Sequence, residues 1–497
     1  MKCKKHWVWV ILFIYLGWPG ESSAQKEAVI LHWNDFHSAN LSFQPSYGRG
    51  EGWVGGSATL AGYLDSLRRL HPQAISLNAG DDFQGSPLSS LTRGWSQIII
   101  LNQIRPTAFT IGNHEFDYGV DNLKKCLSRA NFEIVSCNLY DSSRQALLAK
   151  PYILKRAGEL TIAIIGVAGD DMKSSCLPEN VRGIGVLPSL TQLRKCIREV
   201  NPQADLIVIL SHSGFDEDSL LALQLSEADV IIGGHSHSVL RQPKVVNNIL
   251  ICQAGANGRS LGYLKAQVDS PLKKINSFEY QLLETSVNKI SPNTRVRQIV
   301  DSLEATIAPT MNRVIGQLIS DWTRNSDGES NIGNWICDAT RSYFNADLAF
   351  MNSGGIRKGL KAGPIRVRDI WEISPFDNTI DLITLSGAQL WQMLEYRLRN
   401  PRDFLQVSGI QYAYQKNPLR LREVTVLGQP LNPEKSYTLA TNNFVVGQFE
   451  RFFGFNLTEV RIKSTGIVGR DILIAAVEKE KTINSQIENR IRVLTEK

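Results

Sequence analysis

The chain has 497 residues, of which 43% are apolar and 21% are charged. This composition is ordinary for a globular protein and argues against a disordered chain, and the length favours two domains over one. The formal net charge of +6 is too weak to indicate a nucleic acid polymer as a partner.

The amino-terminal segment, residues 1–24, has the order of features found in a cleavable export signal. Three lysines among the first five residues precede the apolar run 7–16, and residues 22–24 are small, as cleavage requires. The apolar run is too short to span a bilayer, and the polar carboxyl end, 481–497, carries no tail for a lipid anchor. We therefore expect an exported mature chain, periplasmic or secreted, without a membrane anchor.

Six cysteines follow this segment, and none belongs to a close Cys-x-x-Cys pair, so a thiolate metal site is not expected. An exported chain permits disulfides, but their pairing cannot be deduced from spacing. Buried free thiols are the simpler interpretation for most of these residues, which are Cys126, Cys137, Cys176, Cys196, Cys252 and Cys337.

Apolar strand candidates alternate with amphipathic stretches from residue 28 onward. This alternation predicts an α/β layered architecture. The predicted strands are 29–33, 74–77, 108–111, 134–137, 161–166, 206–210 and 230–232. The predicted helices between them are 60–70, 120–130, 190–200 and 219–226.

Polar side chains follow five of these strands at the point where each strand ends. Each motif alone is common in ordinary loops, and a lone histidine is more often a surface or core residue. Because strand ends of an α/β fold converge at one edge, their recurrence indicates a shared site. The five motifs are Asn34-Asp35-Phe36-His37, Gly80-Asp81-Asp82, Gly112-Asn113-His114-Glu115-Phe116-Asp117, Ser211-His212-Ser213 and Gly233-Gly234-His235-Ser236-His237.

Two aspartates, one asparagine and four histidines in these motifs form a nitrogen and oxygen donor set without sulfur. Such a set suits catalytic zinc, manganese, iron or cobalt rather than a structural zinc site. Seven donors are too many for one ion and suit two ions that share a carboxylate. Two ions roughly 3.5–4 Å apart can activate a water and clamp a phosphoryl group.

The motifs, in this order and spacing, resemble the calcineurin-like metallophosphoesterase signature, and in particular the 5′-nucleotidase family. The resemblance implies a four-layer α/β/β/α sandwich followed by a second α/β domain that binds substrate. It also implies that Asp81, which directly follows Gly80, bridges two metal ions. The remaining implied ligands are Asp35, His37 and His237 for one ion, and Asn113, His212 and His235 for the other.

The resemblance gives His114 the role of stabilising charge on the phosphoryl oxygens during attack, with Asp117 holding its ring. A positively charged hydrogen-bond donor acts there where negative charge builds. The plainer interpretation of Asp117 is a cap or turn carboxylate. Glu115 receives no role, because no partner in the donor set requires it.

The second half of the chain predicts a helix over 293–311 that is broken at Pro309, a helix over 329–343 and a strand over 347–351. Four motifs here resemble the carboxyl-terminal domain of the same family. We therefore expect a phosphoesterase domain over 25–315 and a substrate-binding domain over 316–497, with 329–343 as the interdomain helix. The motifs are 329–334, 352–357, 375–378 and 404–409.

Arg357 follows a Gly-Gly turn and is a rigid, permanently charged fork suited to a phosphate or ribose oxygen. The resemblance implies that Phe404 and Phe444 stack on a base and that Asn378 contacts the base or sugar. The family continues after that second phenylalanine with Gly-Gly-Asp-Gly, whose aspartate contacts the ribose hydroxyls. This chain has Val-Val-Gly-Gln-Phe-Glu-Arg instead, and Glu450 is the carboxylate that remains.

The resemblance implies a hydrolase with two divalent ions, zinc, manganese or similar, that removes phosphate from nucleoside 5′-monophosphates or related nucleotides. UDP-sugars and cyclic nucleotides belong to that group. The altered loop after Phe444 leaves a non-nucleotide or sugar phosphate as an alternative substrate. An alternative of another class is a catalytically silent nucleotide-binding surface protein, against which the complete ligand set counts.

Overall fold

The computed structural model describes residues 26–44, 52–269 and 272–494. The predicted export signal lies outside these ranges. Within them, no helix has both the length and the apolar character that a membrane crossing requires.

The first domain contains two six-stranded sheets, β15-β14-β1-β2-β3-β4 and β12-β13-β11-β10-β8-β7, and a small sheet, β6-β5-β9. The strands are β1 (Lys26–Trp33), β2 (Ile75–Asn78), β3 (Ala108–Thr110), β4 (Glu133–Val135), β5 (Leu139–Asp141), β6 (Ala146–Leu147), β7 (Tyr152–Ala157), β8 (Leu160–Ala168), β9 (Ile184–Val186), β10 (Leu206–His212), β11 (Val230–Ile232), β12 (Lys244–Val246), β13 (Ile249–Cys252), β14 (Ser260–Asp269) and β15 (Lys274–Glu284). The helices are α1 (Ser57–Leu70), α2 (Pro87–Leu91), α3 (Trp95–Ile104), α4 (Val120–Leu127), α5 (Ser189–Val200), α6 (Phe215–Gln224) and α7 (Thr294–Met311).

The two large sheets pack face to face. Ile30 of the first sheet and Ile164 and Val208 of the second belong to one buried core. Helices α1, α3 and α7 cover the outer face of the first sheet, and α5 and α6 cover the outer face of the second. Because strands such as β8 and β10 are buried on both faces, they consist of nearly continuous apolar residues. The four-layer α/β/β/α arrangement is therefore confirmed.

The predicted break at Pro309 is wrong, because α7 continues through this residue to Met311. A proline removes one backbone donor and crowds the preceding turn, and only two residues of α7 follow Pro309. The helix still closes normally beyond it, since the N–H of Asn312 donates to the carbonyl of Ala308 at 2.9 Å.

The second domain contains three sheets, β18-β16-β26, β20-β17-β24-β19-β25 and β23-β22-β21-β27. The strands are β16 (Val314–Leu318), β17 (Leu348–Asn352), β18 (Gly363–Arg366), β19 (Thr379–Ser386), β20 (Leu405–Ser408), β21 (Ile410–Gln415), β22 (Arg420–Val426), β23 (Gln429–Pro430), β24 (Ser436–Asn442), β25 (Arg461–Val468), β26 (Thr482–Ile483) and β27 (Ile491–Leu494). The helices are α8 (Asn331–Phe344), α9 (Val367–Ile373), α10 (Gly387–Arg399), α11 (Asn443–Gly447), α12 (Phe449–Phe453) and α13 (Gly469–Glu480).

Helix α7 joins the two domains. Val296 and Val300 near its start belong to a core of the first domain, whereas Met311 at its end is buried in a core of the second. The predicted boundary between 315 and 316 falls within β16. The segment predicted as the interdomain helix corresponds to α8, which packs inside the second domain.

Candidate active site

The five polar motifs lie at the carboxyl ends of strands β1, β2, β3, β10 and β11. The first three strands are parallel neighbours in one sheet, and the last two are parallel neighbours in the other. Backbone hydrogen bonds join the loops, since the N–H groups of Asp35 and His37 donate to the carbonyls of Gly80 and Asp81, both at 2.9 Å. The candidate site therefore spans the edges of both sheets rather than of one.

Five of the seven predicted metal ligands adopt a left-handed backbone. The φ angles are 48° for Asp35, 48° for His37, 62° for Asp81, 73° for His235 and 54° for His237. Such values are uncommon for residues other than glycine and cost free energy unless the surrounding structure imposes them. Five such residues in one site indicate that the surrounding fold fixes the directions of these side chains, although the backbone conformation is unfavourable.

The first cluster of donor atoms comprises Asp35, His37 and His237. The Nε2 atoms of the two histidines are 3.0 Å apart, and Nε2 of His237 lies 3.3 Å from Oδ1 of Asp35. The donor atoms of all three residues lie within 4.8 Å of one another. One ion with metal–nitrogen distances of about 2 Å can therefore contact all three.

The second cluster comprises Asp81, His212 and His235, with Asn113 beside it. Nε2 of His212 lies 3.1 Å from Oδ2 of Asp81, and Nδ1 of His235 lies 2.9 Å from Oδ1 of Asn113. The ring of His212 donates from Nδ1 to the carbonyl of Ala79 at 2.6 Å, which directs Nε2 into the cluster. A backbone contact of this kind orients many metal-binding histidines.

The second cluster fits a cation on grounds other than donor type. Nε2 of His212 is buried and faces Oδ2 of Asp81 at 3.1 Å, and it has no other hydrogen-bond partner among the described residues. Burial would lower the pKa of His212, but the Asp81 carboxylate outweighs it and raises the pKa to about 10. The site therefore stabilises positive charge at this point, and a divalent ion can replace the proton there.

Asp81 and its neighbour Asp82 have different surroundings. Burial would raise the pKa of Asp81, but the imidazoles of His212 and His114 hold it well below its usual range. Asp82 instead accepts a hydrogen bond from the side chain of Asn78 at 2.6 Å. Burial and the nearby carboxyl of Glu115 raise the pKa of Asp82 well above its usual range. The structure thus places Asp81 among the histidines, as the Gly80 motif implies.

His114 lies against both clusters and is held by Asp117. Its Nδ1 donates to Oδ2 of Asp117 at 2.8 Å, and its donor atoms lie within 4.8 Å of those of His37 and Asp81. Burial would lower the pKa of His114, but Asp117 and Asp81 together raise it above its usual value. The hydrogen bond to Asp117 therefore orients the ring, and the raised pKa favours its protonated form, which would attract a phosphoryl oxygen.

Glu115 has a structural role that the sequence does not reveal. Its Oε2 accepts the backbone N–H groups of Asp81 at 2.9 Å and Gly112 at 2.7 Å. Its Oε1 accepts those of Asp82 at 2.7 Å and Phe83 at 3.3 Å. One fully buried carboxylate thus joins the two loops that carry Asp81 and His114.

Replacing Glu115 with glutamine is expected to lower the free energy of unfolding by about 2–3 kcal/mol, because buried donors would lose their acceptor. An amide has one acceptor oxygen, so either orientation leaves one pair of N–H groups facing an NH₂ group. The midpoint of thermal unfolding measures the effect. Glu133→Gln, at an exposed ion pair with Lys150, is the matched control. Equal midpoints for the two variants would contradict this account of Glu115.

A cavity of about 670 Å³ lies between the two domains and opens onto the donor clusters. Three of the four predicted substrate residues, Arg357, Asn378 and Phe444, line it together with His114 and His237. The guanidinium Nη2 of Arg357 lies 3.1 Å from Nε2 of His37. A phosphoryl group near the first cluster would therefore be within reach of this arginine.

Phe404 is placed differently from the other predicted substrate residues. It is half-buried and its carbonyl accepts the N–H of Ser353 at 2.8 Å, but it is not among the described residues that line the cavity. Gln84 and Arg451 are among the polar lining residues to which the sequence gave no role. Gln84 is 1% exposed, and its amide atoms have no hydrogen-bond partner among the described residues.

All six cysteines within the described ranges are free and buried. This agrees with the simpler of the two interpretations of these residues.

Comparisons with known proteins cover both domains. Residues 28–239 match the family model for calcineurin-like phosphoesterase, and residues 307–456 match the model for the 5′-nucleotidase C-terminal domain. The chain combines the two domains of the 5′-nucleotidase family. Members of this family are phosphoric ester hydrolases, and the phosphoesterase fold implies divalent metal ions.

Relatives in this family share about a quarter of the residues. The chain is 27% identical over 534 residues to the 5′-nucleotidase of Bos taurus, which covers 96% of this chain and 92% of that protein. It is 26% identical over 504 residues to Endonuclease YhcR of Bacillus subtilis, covering 94% of this chain but 40% of that protein. The 5′-nucleotidase precursor from Thermus thermophilus has a crystal structure with a TM-score of 0.86 and 27% identity. That match covers 95% of this chain and all of the other.

Proposed function

We propose that the chain is an exported hydrolase that uses two divalent ions to remove phosphate from nucleoside 5′-monophosphates or related nucleotides. The observation that best supports this is the arrangement of two donor clusters beside His114, with Arg357 reaching the same point from the second domain. A protein that only bound nucleotides would not need this arrangement.

The seven predicted ligands would hold the ions in two sets. The ions, zinc, manganese or similar, would supply an activated water and positive charge around the phosphoryl group. Asp81 would be shared, because it lies within donor distance of the second cluster and of His37. Asp35, His37 and His237 would complete one set, and Asn113, His212 and His235 the other.

The remaining residues would bind and orient the substrate. His114, held by Asp117, would donate from its free ring nitrogen to a phosphoryl oxygen, where negative charge develops during attack. Arg357 would hold the phosphoryl oxygens with its planar fork of donors. Asn378 and Phe444 would contact the nucleoside in the interdomain cavity. Phe404 does not line this cavity, so its ring would have to move toward the cavity before it could stack on the base.

The test is hydrolysis of AMP, UMP, UDP-glucose, a cyclic nucleotide and a sugar phosphate, with added Mn²⁺ or Zn²⁺. Inorganic phosphate is measured for the monoesters, and the mononucleotide product is measured for UDP-glucose and the cyclic nucleotide. We expect metal-dependent release from the nucleotides, with free nucleosides acting as competitors. Release from the sugar phosphate alone, without competition by nucleosides, would favour the non-nucleotide alternative. Nucleotide binding without release from any phosphoester would contradict the proposal and leave a silent binding protein.

A further inference from the structure

Arg451 stands at the aromatic wall of the interdomain cavity. It lines the cavity together with Phe444, and its guanidinium carbon lies 5.8 Å from the ring centre of Phe452. Phe452 in turn packs edge-on against Phe444, with ring centres 6.3 Å apart. Arg451 therefore lies beside Phe444, the side chain proposed to contact the nucleoside, whereas Arg357 lies beside the donor clusters.

The positive charge of Arg451 is not balanced by a nearby carboxylate. Its Nη1 donates to the carbonyl of Ser174 at 3.3 Å, and its guanidinium forms no ion pair within 4.0 Å with a described acidic side chain. A carbonyl accepts a hydrogen bond but does not neutralise the charge. A guanidinium in this state on a cavity wall is suited to an anionic ligand group.

Most carboxylates on the same cavity wall already have partners. Asp117 accepts from His114 at 2.8 Å, and Asp377 pairs with Arg470 at 2.6 Å. Asp403 accepts from the backbone of Gly354 and from a side-chain amide. Glu179 is exposed to solvent, where its charge is screened. These four carboxylates are therefore paired or exposed to solvent, whereas Arg357 and Arg451 line the cavity without an ion pair to a described acidic side chain.

Glu450, the carboxylate nearest to Arg451 in sequence, points away from the cavity. It is exposed and accepts a hydrogen bond from the side chain of Asn456 at 3.0 Å, and it is not among the described lining residues. A carboxylate is the group that recognises free ribose hydroxyls, whereas an arginine in its place accommodates a phosphate on the ribose. Arg451, and not Glu450, is thus the charged side chain that helix α12 places on this wall of the cavity.

We propose that Arg451 forms a subsite for a second phosphate, carried on the ribose, so that the substrate class is the nucleoside bisphosphates. This inference rests on the proposed nucleotide hydrolysis. In the reaction, a water oxygen forms a bond to the 5′-phosphorus and the bond from phosphorus to the 5′-oxygen breaks. The 5′-oxygen takes up a proton, and the products are inorganic phosphate and a nucleoside that keeps its ribose phosphate.

The experiment compares kcat/KM for adenosine 3′,5′-bisphosphate with kcat/KM for AMP in the wild type and in Arg451→Gln. A charge-assisted contact predicts at least about a tenfold preference for the bisphosphate, and a similar loss of this preference in the variant. The same change at the exposed Arg461 is the matched control and should leave the ratio of the two values unaltered.

Two results would overturn the subsite. One is a wild type that hydrolyses AMP as well as or better than the bisphosphate. The other is an Arg451→Gln variant that loses activity equally on both substrates, as expected if Arg451 only connects the domains through Ser174. Absence of hydrolysis even of p-nitrophenyl phosphate would instead overturn the proposed function, and the subsite with it.

A second measurement keeps the subsite testable if Arg451→Gln fails to fold. Adenosine 3′-phosphate should inhibit p-nitrophenyl phosphate hydrolysis by the wild type at least about ten times more strongly than adenosine does. Equal inhibition by the two compounds would overturn the subsite.

Discussion

Replacing His114 with alanine is expected to lower kcat for phosphoester hydrolysis by about 10²–10³-fold, the usual effect of removing a donor that stabilises transition-state charge. We expect His114 to contribute this charge because Asp117 holds its ring at 2.8 Å and because Asp117 and Asp81 outweigh burial and raise its pKa. The bound metal content should stay at the wild-type level, because His114 is not one of the proposed ligands. Steady-state kinetics and metal analysis on the same sample measure both quantities.

The control for His114→Ala is His71→Ala, which removes a half-buried imidazole from a different part of the first domain, beside Tyr263. It should leave kcat within about twofold of the wild type, as for most substitutions away from the site. A His114→Ala variant with near wild-type kcat, or one that loses its metal, would contradict the role of His114 as a charge-stabilising donor.

Replacing Asp81 with asparagine is expected to reduce the bound metal to fewer than about one ion per chain and to lower activity by about 10³-fold, which corresponds to roughly 4 kcal/mol. Asp81 is the anionic centre of the site, since His212 lies 3.1 Å from its carboxylate and the backbone of His114 donates to it at 2.8 Å. The isosteric amide keeps the shape of the side chain but removes its charge.

The adjacent residue provides a matched control for Asp81→Asn. Asp82 is buried beside Asn78, whose amide donates to it at 2.6 Å, and the side-chain oxygen of an asparagine can accept the same hydrogen bond. Asp82→Asn should therefore keep the metal and most of the activity. If the two variants behaved alike, or if Asp82→Asn were the one that lost its metal, the placement of the shared carboxylate at Asp81 would be wrong.

The convergence of the proposed donor residues was predictable from the sequence for a physical reason. Each donor directly follows an apolar run that forms a buried strand, and parallel strands bring their carboxyl ends to the same edge. Glu115 was not predictable in the same way. Its four acceptor contacts join two loops that are distant in sequence, so its role depends on how those loops meet.

The substrate side was less predictable because it depends on side-chain direction in short elements. Glu450 and Arg451 are adjacent in the five-residue helix α12, and only the packing of that helix places the arginine on the cavity and the glutamate in solvent. Phe404 is a second example. The motif identifies the residue, but it does not predict whether the ring lines the cavity. Pro309 is a further example, because a proline in a helical pattern predicts a break, whereas α7 continues through it to Met311.

The most direct test of the central claim is a metal titration of chelator-treated protein, with phosphate release from AMP and bound metal measured on the same samples. The chelated protein should be inactive, and release should rise with added Zn²⁺ or Mn²⁺ and level off at about two ions per chain. Phosphate release that survives chelation, or no release at any metal concentration, would contradict a two-metal phosphoesterase.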